Sequence, residues 1–123
     1  MADEFEQFVP ILVALRELLL KYDYFDQADV ASELIDLAHL DSPEFPAMMR
    51  SGLVWGSAGS IADVAFAYNQ SGPLEQLRRD DTEFMRLLVR LADEMDRQRM
   101  SLEPHKDWIE GVRKVVAEEN PSK

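Results

Sequence analysis

Residues 5–22 read FEQFVPILVALRELLLKY, and this stretch decides the fold. Phe5, Phe8, Leu12, Leu15, Leu19 and Tyr22 recur at alternating spacings of three and four, which lays large apolar side chains along one stripe of a helix. Ile11, Val13, Leu18 and Leu20 extend the apolar character beyond that stripe, and after Pro10 only Arg16, Glu17 and Lys21 are charged. Such a helix must be nearly surrounded, either at the centre of the monomer or inside a homodimer. Pro10 lacks an N–H and clashes one turn back in a helix interior, so the pattern predicts a kink there or a helix start near it. Asp3 and Glu6 have the spacing of a capping box.

Working outward, Asp26 is placed to cap a second helix whose inner face carries Ala28, Ala31, Leu34, Ile35 and Ala38. Its outer face holds Asp29, Glu33 and Asp36, like charges that destabilise a helix slightly unless something neutralises them. Ser42-Pro43-Glu44 announces a short helix over Phe45–Arg50, with Gly52 as its left-handed terminator. Ser60 should cap a fourth helix to about Asn69, with Asp63 completing the cap and Ile61, Val64, Ala65 and Tyr68 inward. Gln70-Ser71-Gly72-Pro73 is a break. A long helix is expected from about Asp81 to Met100, with Phe84, Leu87, Leu88, Leu91, Ala92 and Met95 inward and Arg90/Glu94 and Asp93/Arg97 paired outside. Pro104 should open a last helix with Trp108, Ile109, Val112, Val115 and Val116 inward, stopped at Asn120-Pro121.

These segments predict an all-α protein, a single-domain bundle of five or six helices with the N-terminal apolar helix near the centre. The domain covers residues 1–118, and residues 119–123 form a frayed tail. No strand pattern and no repeat is evident.

The 123 residues include 24 acidic and 13 basic side chains, a formal charge of −11, and no Cys. That charge repels phosphate backbones and anionic lipid, so neither nucleic acid nor membrane is an expected partner, whereas a basic protein is. Without Cys there is no disulfide, thiolate metal site or thiol nucleophile, which suits a reducing compartment. Asp3, Glu4 and Glu6 stand where a secretory signal would be positive, and the apolar stretch Val9–Leu20 is shorter than a membrane span. A cytoplasmic location is expected.

The densest exception to helical patterning is Trp55-Gly56-Ser57-Ala58-Gly59-Ser60-Ile61-Ala62-Asp63. Its small residues running into a helix start could cradle an anion on exposed N–H groups. A phosphate loop would need a Lys followed by Ser or Thr, and no Lys lies between Lys21 and Lys106. A Gly-x-x-Gly RNA loop would need basic company. The loop reads first as a tight connection capped by Ser60 and Asp63. As a binding site it would present Trp55, Ser57, Gly59, Ser60 and Asp63. Met48–Trp55 reads as core packing in preference to a recognition surface.

Gly59-Ser60-Ile61-Ala62-Asp63-Val64, followed by a polar break and a long helix bearing Leu87, Leu88, Leu91 and Ala92, resembles an uncharacterised bacterial family of small helical proteins with a Gly-Ser-x-x-Asp-aliphatic turn. The resemblance covers roughly residues 8–96. It implies a small intracellular bacterial protein with no assigned activity and carries over no catalytic residue, while giving Gly59, Ser60 and Asp63 weight as a unit.

His39 and His105 are the only histidines. Asp36 and His39 sit one turn apart, yet no Glu-x-x-His occurs, so no metal site or cofactor is expected and His39 reads as a solvated side chain near a carboxylate. Ser57 or Ser60 has no base assigned by spacing. An enzyme therefore ranks below a non-enzymatic interaction module, of which an immunity or antitoxin-like neutraliser of a basic partner is one concrete form. The expected face is Asp23, Asp26, Asp29, Glu33 and Asp36. A small-molecule site or minor enzymatic activity at Gly56–Asp63, and a structural homodimer through helix 1, are the alternatives.

Overall fold

In the computed structural model the described residues are 4–56, 59–64, 66, 72–100 and 105–119. Among them there is no strand, and the protein is a small all-α single-domain bundle. A 3₁₀ turn, Phe5–Phe8, runs into α1 (Val9–Lys21). Pro10 therefore sits in the first turn, where its missing N–H would have had no helical partner, and it marks the start of the helix. Asp3 lies outside the described residues, and no side chain caps the 3₁₀ turn. Phe8, Leu12, Leu15 and Leu19 are fully buried, with Ile11 beside them, while Phe5 and Tyr22 are partly covered. Both α2 (Phe25–His39) and the long helix α5 (Leu74–Arg97) pack on α1, which makes it the central element of the monomer.

The chain leaves α1 through a turn built on Asp23, whose φ is 65°. Tyr24 N–H donates to Leu19 O at 2.9 Å and Asp23 N–H to Leu20 O at 3.2 Å, the paired bonds of a Schellman termination. Asp41 (φ 51°) ends α2 in the same way, with Ser42 N–H reaching Leu37 O. Arg99 (φ 63°) ends α5, with Met100 N–H reaching Met95 O. Three non-glycine residues thus hold the left-handed position that glycine usually takes.

Several boundaries differ from the sequence pattern. Helix α2 begins at Phe25, capped by the backbone of Tyr24, so Asp26 lies inside its first turn instead of capping it. Ser42 Oγ does accept from Glu44 N–H at 3.1 Å and opens α3 (Glu44–Met49). Gly52 is not a left-handed terminator: Ser51 caps a new turn, α4 (Gly52–Trp55), by accepting from Leu53 N–H. Instead of a helix, Ser60 precedes a 3₁₀ turn, Ile61–Asp63, that ends in extended backbone at Val64. Ala65, Tyr68 and Asn69 lie outside the described residues. Helix α5 starts seven residues earlier than Asp81, directly after Pro73, because Gly72 (φ 139°) completes the break and Leu77 joins the core.

The last helix, α6 (Lys106–Glu119), packs on α5, and Pro104 and residues 120–123 lie outside the described residues. Ile109 is buried, but Trp108 and Val115, expected inward, are 42% and 41% exposed. The described buried apolar side chains form one cluster, to which α1 through α6 and both 3₁₀ turns contribute. Among the described residues no helix is long and apolar enough to cross a membrane.

Candidate functional site

Helix α2 turns its alanines and Leu34 and Ile35 toward α1, and this fixes what its other side shows. Asp26, Asp29, Glu33 and Asp36 follow at steps of three, four and three, so they share one face over about 15 Å of helix. All four are exposed, as is Asp23 in the preceding turn. Among the described residues none of these five carboxylates has an ion-pair or hydrogen-bond partner. Some acids elsewhere are paired: Glu6 meets His39 Nδ1 at 2.8 Å, Glu94 holds Arg97, and Asp93, Asp96 and Glu110 share Arg113. Arg16 of α1 reaches Ser32 Oγ at 3.4 Å and no carboxylate of the stripe. The predicted Arg90/Glu94 and Asp93/Arg97 pairs are replaced by Arg97–Glu94 and Arg113–Asp93, because α6 brings Arg113 across. His39 does sit beside a carboxylate, but that of Glu6 and not Asp36.

The Gly56–Asp63 loop divides its residues between core and surface. Trp55 and Ser60 are buried, Gly59 and Asp63 are exposed, and Ser57 lies outside the described residues. Ser60 Oγ donates to Gly56 O at 2.7 Å, tying the loop to α4 instead of capping the next turn. Gly59 adopts φ 92°, and its carbonyl accepts from Gln27 Nε2 at 3.1 Å, which ties the loop to α2 beside the acidic stripe. Gly56 is required on steric grounds: a Cβ there would stand 2.4 Å from Gly52 O. The indole of Trp55 lies against Trp108 with ring centroids 6.2 Å apart, and its Nε1 has no hydrogen-bond partner. The Met48–Trp55 run is largely core, since Met49 and Val54 are also buried and only Leu53 is prominently exposed.

A buried polar knot not expected from the sequence joins the end of α1 to α5. Asp80 is 8% exposed, and its Oδ2 accepts from Lys21 Nζ at 2.8 Å and from the Tyr22 hydroxyl, while Oδ1 accepts from Gln76 Nε2 at 3.2 Å. Burial alone would raise the Asp80 carboxyl, but the donors from Lys21, Tyr22 and Gln76 outweigh it and hold the group below its ordinary range. Burial, and then the adjacent Asp80, push the Tyr22 phenol up to about 12. Tyr22 also stacks on Phe66 at 4.3 Å, and Asp81 accepts from Phe66 N–H at 2.7 Å, so the knot anchors the segment before α5. A phenol held protonated and a carboxylate saturated with donors form a fastening, and neither is poised as a nucleophile.

The early start of α5 also creates a basic groove that the sequence pattern missed. Leu74, Glu75, Arg78, Arg79, Thr82 and Arg86 line it, and the three guanidinium groups make no ion pair among the described residues. With the helix start placed at Asp81, Arg78 and Arg79 fell outside it and their alignment with Arg86 was hidden. Among the described residues no three His, Asp or Glu side chains converge as a metal site would require. Comparison of the chain with protein-family models, with curated proteins and with solved structures gave no match in any of the three.

Proposed function

We propose that the protein is a non-enzymatic protein–protein interaction module that receives a basic partner on the α2 stripe of Asp26, Asp29, Glu33 and Asp36, with Asp23 at its end. One observation carries this reading: four exposed carboxylates with no partner among the described residues follow one another along a single helix face, with a fifth in the turn before it. Like charges at helical spacings of three and four cost the isolated fold stability, and a cationic partner would relieve that cost on binding. Charge complementarity steers association and rejects wrong partners, the behaviour wanted of an immunity or antitoxin-like neutraliser in a small cytoplasmic protein. The tethers from Gly59 to Gln27 and from Ser60 to Gly56 favour a bracing role for the loop over ligand capture.

The test is affinity capture from the native host. The immobilised protein should retain a basic protein at low salt and release it toward 1 M salt, where the screening length falls to about 3 Å. Recovery of no basic protein, or of one that salt does not release, contradicts the proposal.

A further inference from the structure

Helix α5 buries Leu77, Phe84, Leu87 and Leu88 on one side, which turns Arg78, Thr82 and Arg86, at steps of four, to the other, with Arg79 beside Arg78. Together with Leu74 and Glu75 they line a groove of about 540 Å³ along about 18 Å of helix. Arg78 and Arg79 are exposed, whereas Thr82 and Arg86 are half-buried. Carboxylates stand at pairing distance in the sequence and go unused. Glu75 precedes Arg78 and Arg79 by three and four residues, and Glu83 follows Arg79 by four and precedes Arg86 by three, the spacings at which helical ion pairs form. Among the described residues none of these pairs is made, although the chain has 24 acidic residues for 13 basic ones. Lys21, Arg97 and Arg113, by contrast, each hold a carboxylate.

We infer that this groove binds the phosphate monoester of a small organic molecule. Three arginines against the one carboxylate of Glu75 leave its lining with a charge of +2, and a phosphate monoester carries about −1.5 to −2 near pH 7. Guanidinium groups present paired N–H donors in the geometry that phosphate oxygens accept two at a time, and the Thr82 hydroxyl adds a donor between Arg78 and Arg86. A carboxylate or a sulfate ester brings one charge to the same donors and leaves the groove only half compensated. The volume exceeds what a bare phosphate fills, and half-exposed Leu74 offers an apolar surface at one end for the organic part. The chain's charge of −11 repels long polyanions such as nucleic acid, whose charge extends past the groove, while a compact dianion seated among the arginines is screened from distant acids. The groove lies on a different helix from the acidic stripe and stands independently of the function proposed for it.

Titration calorimetry of the full chain with phenyl phosphate, at low salt and near neutral pH, tests this. Binding should show a dissociation constant below about 1 mM and be about tenfold tighter than that of phenyl sulfate, which has the same body and one charge. Arg78→Gln combined with Arg86→Gln should weaken phenyl phosphate at least about tenfold. Lys106→Gln combined with Lys114→Gln removes the same charge from exposed groups of α6 that have no ion-pair partner among the described residues, and should leave binding within about twofold of wild type. Leu74→Ser should lower the affinity for phenyl phosphate to that for inorganic phosphate. Circular dichroism keeps folding under control, since every substituted side chain lies outside the core. Absence of binding at millimolar phenyl phosphate, equal losses in the two double variants, no preference for phosphate over sulfate, a Leu74→Ser variant that binds as wild type does, or a single-stranded oligonucleotide bound more tightly than phenyl phosphate overturns the inference.

Discussion

Asp80 shows how one side chain can fasten two helices and mark the fold with a pH signature. Its carboxyl is held low, so the stability it contributes is present above the ordinary Asp range and is lost as acid protonates it below that range. Tyr22 works at the other end of the scale. With its phenol raised from 10.0 to about 12, its contribution is complete below pH 10 and fades as pH rises from 10 to 12, because the folded state then holds a proton that the unfolded chain has given up. Denaturant titrations should show stability falling across pH 10–12 in the wild-type protein, with a shallower fall in Tyr22→Phe. Asp80→Asn should cost about 1–3 kcal/mol near neutral pH, since the knot loses its charge-assisted bonds. Gly56 gives a steric counterpart. Gly56→Ala drives a Cβ into Gly52 O and should cost about 1–3 kcal/mol in urea melts, whereas Gly52→Ala enters open space and should be neutral or slightly stabilising.

At the scale of elements, the three helices that end on Asp23, Asp41 and Arg99 carry strain that a glycine would relieve. Arg99→Gly, remote in sequence from the acidic stripe, should raise the thermal midpoint, with a gain of up to about 1 kcal/mol by calorimetry. A lowered midpoint would mean that the Arg99 side chain supports the turn. These same positions explain what could be read from the chain. Helices α1, α2 and α5 are legible because each buries a face at helical spacing, and periodicity is what packing demands. Their ends were less so: a left-handed Asp or Arg carries no glycine signal, and Gly52 carried the signal without the conformation. The first turns of α5 escaped because Arg78, Arg79 and Asp80 look like surface there, and Asp80 is buried only because Lys21 and Tyr22 arrive from 59 and 58 residues away. The acidic stripe was legible in full, since its spacing follows from α2 alone. Its lack of partners was not, because that depends on where Arg16, Arg97 and Arg113 are used.

For the whole molecule, the negative charge is distributed unevenly and the packing preserves that asymmetry. Residues 1–30 contribute −5 and residues 31–60 a further −3, while α5 sets five basic groups against seven acids. The result is a bundle with an unpaired acidic helix, an arginine-lined groove on another helix and a nearly neutral outer face on the last. Global charge would attract any cation weakly, whereas a built face requires its charges where they are. The most direct measurement therefore compares two variants that each remove three acids at equal net charge. One carries Asp29→Asn, Glu33→Gln and Asp36→Asn on α2, and the other Glu75→Gln, Glu83→Gln and Glu118→Gln elsewhere. Capture of the basic partner, followed at rising salt, should drop at least about tenfold for the α2 variant and stay close to wild type for the other. Equal losses in both variants, or an unchanged α2 variant, would contradict the acidic stripe as the recognition face.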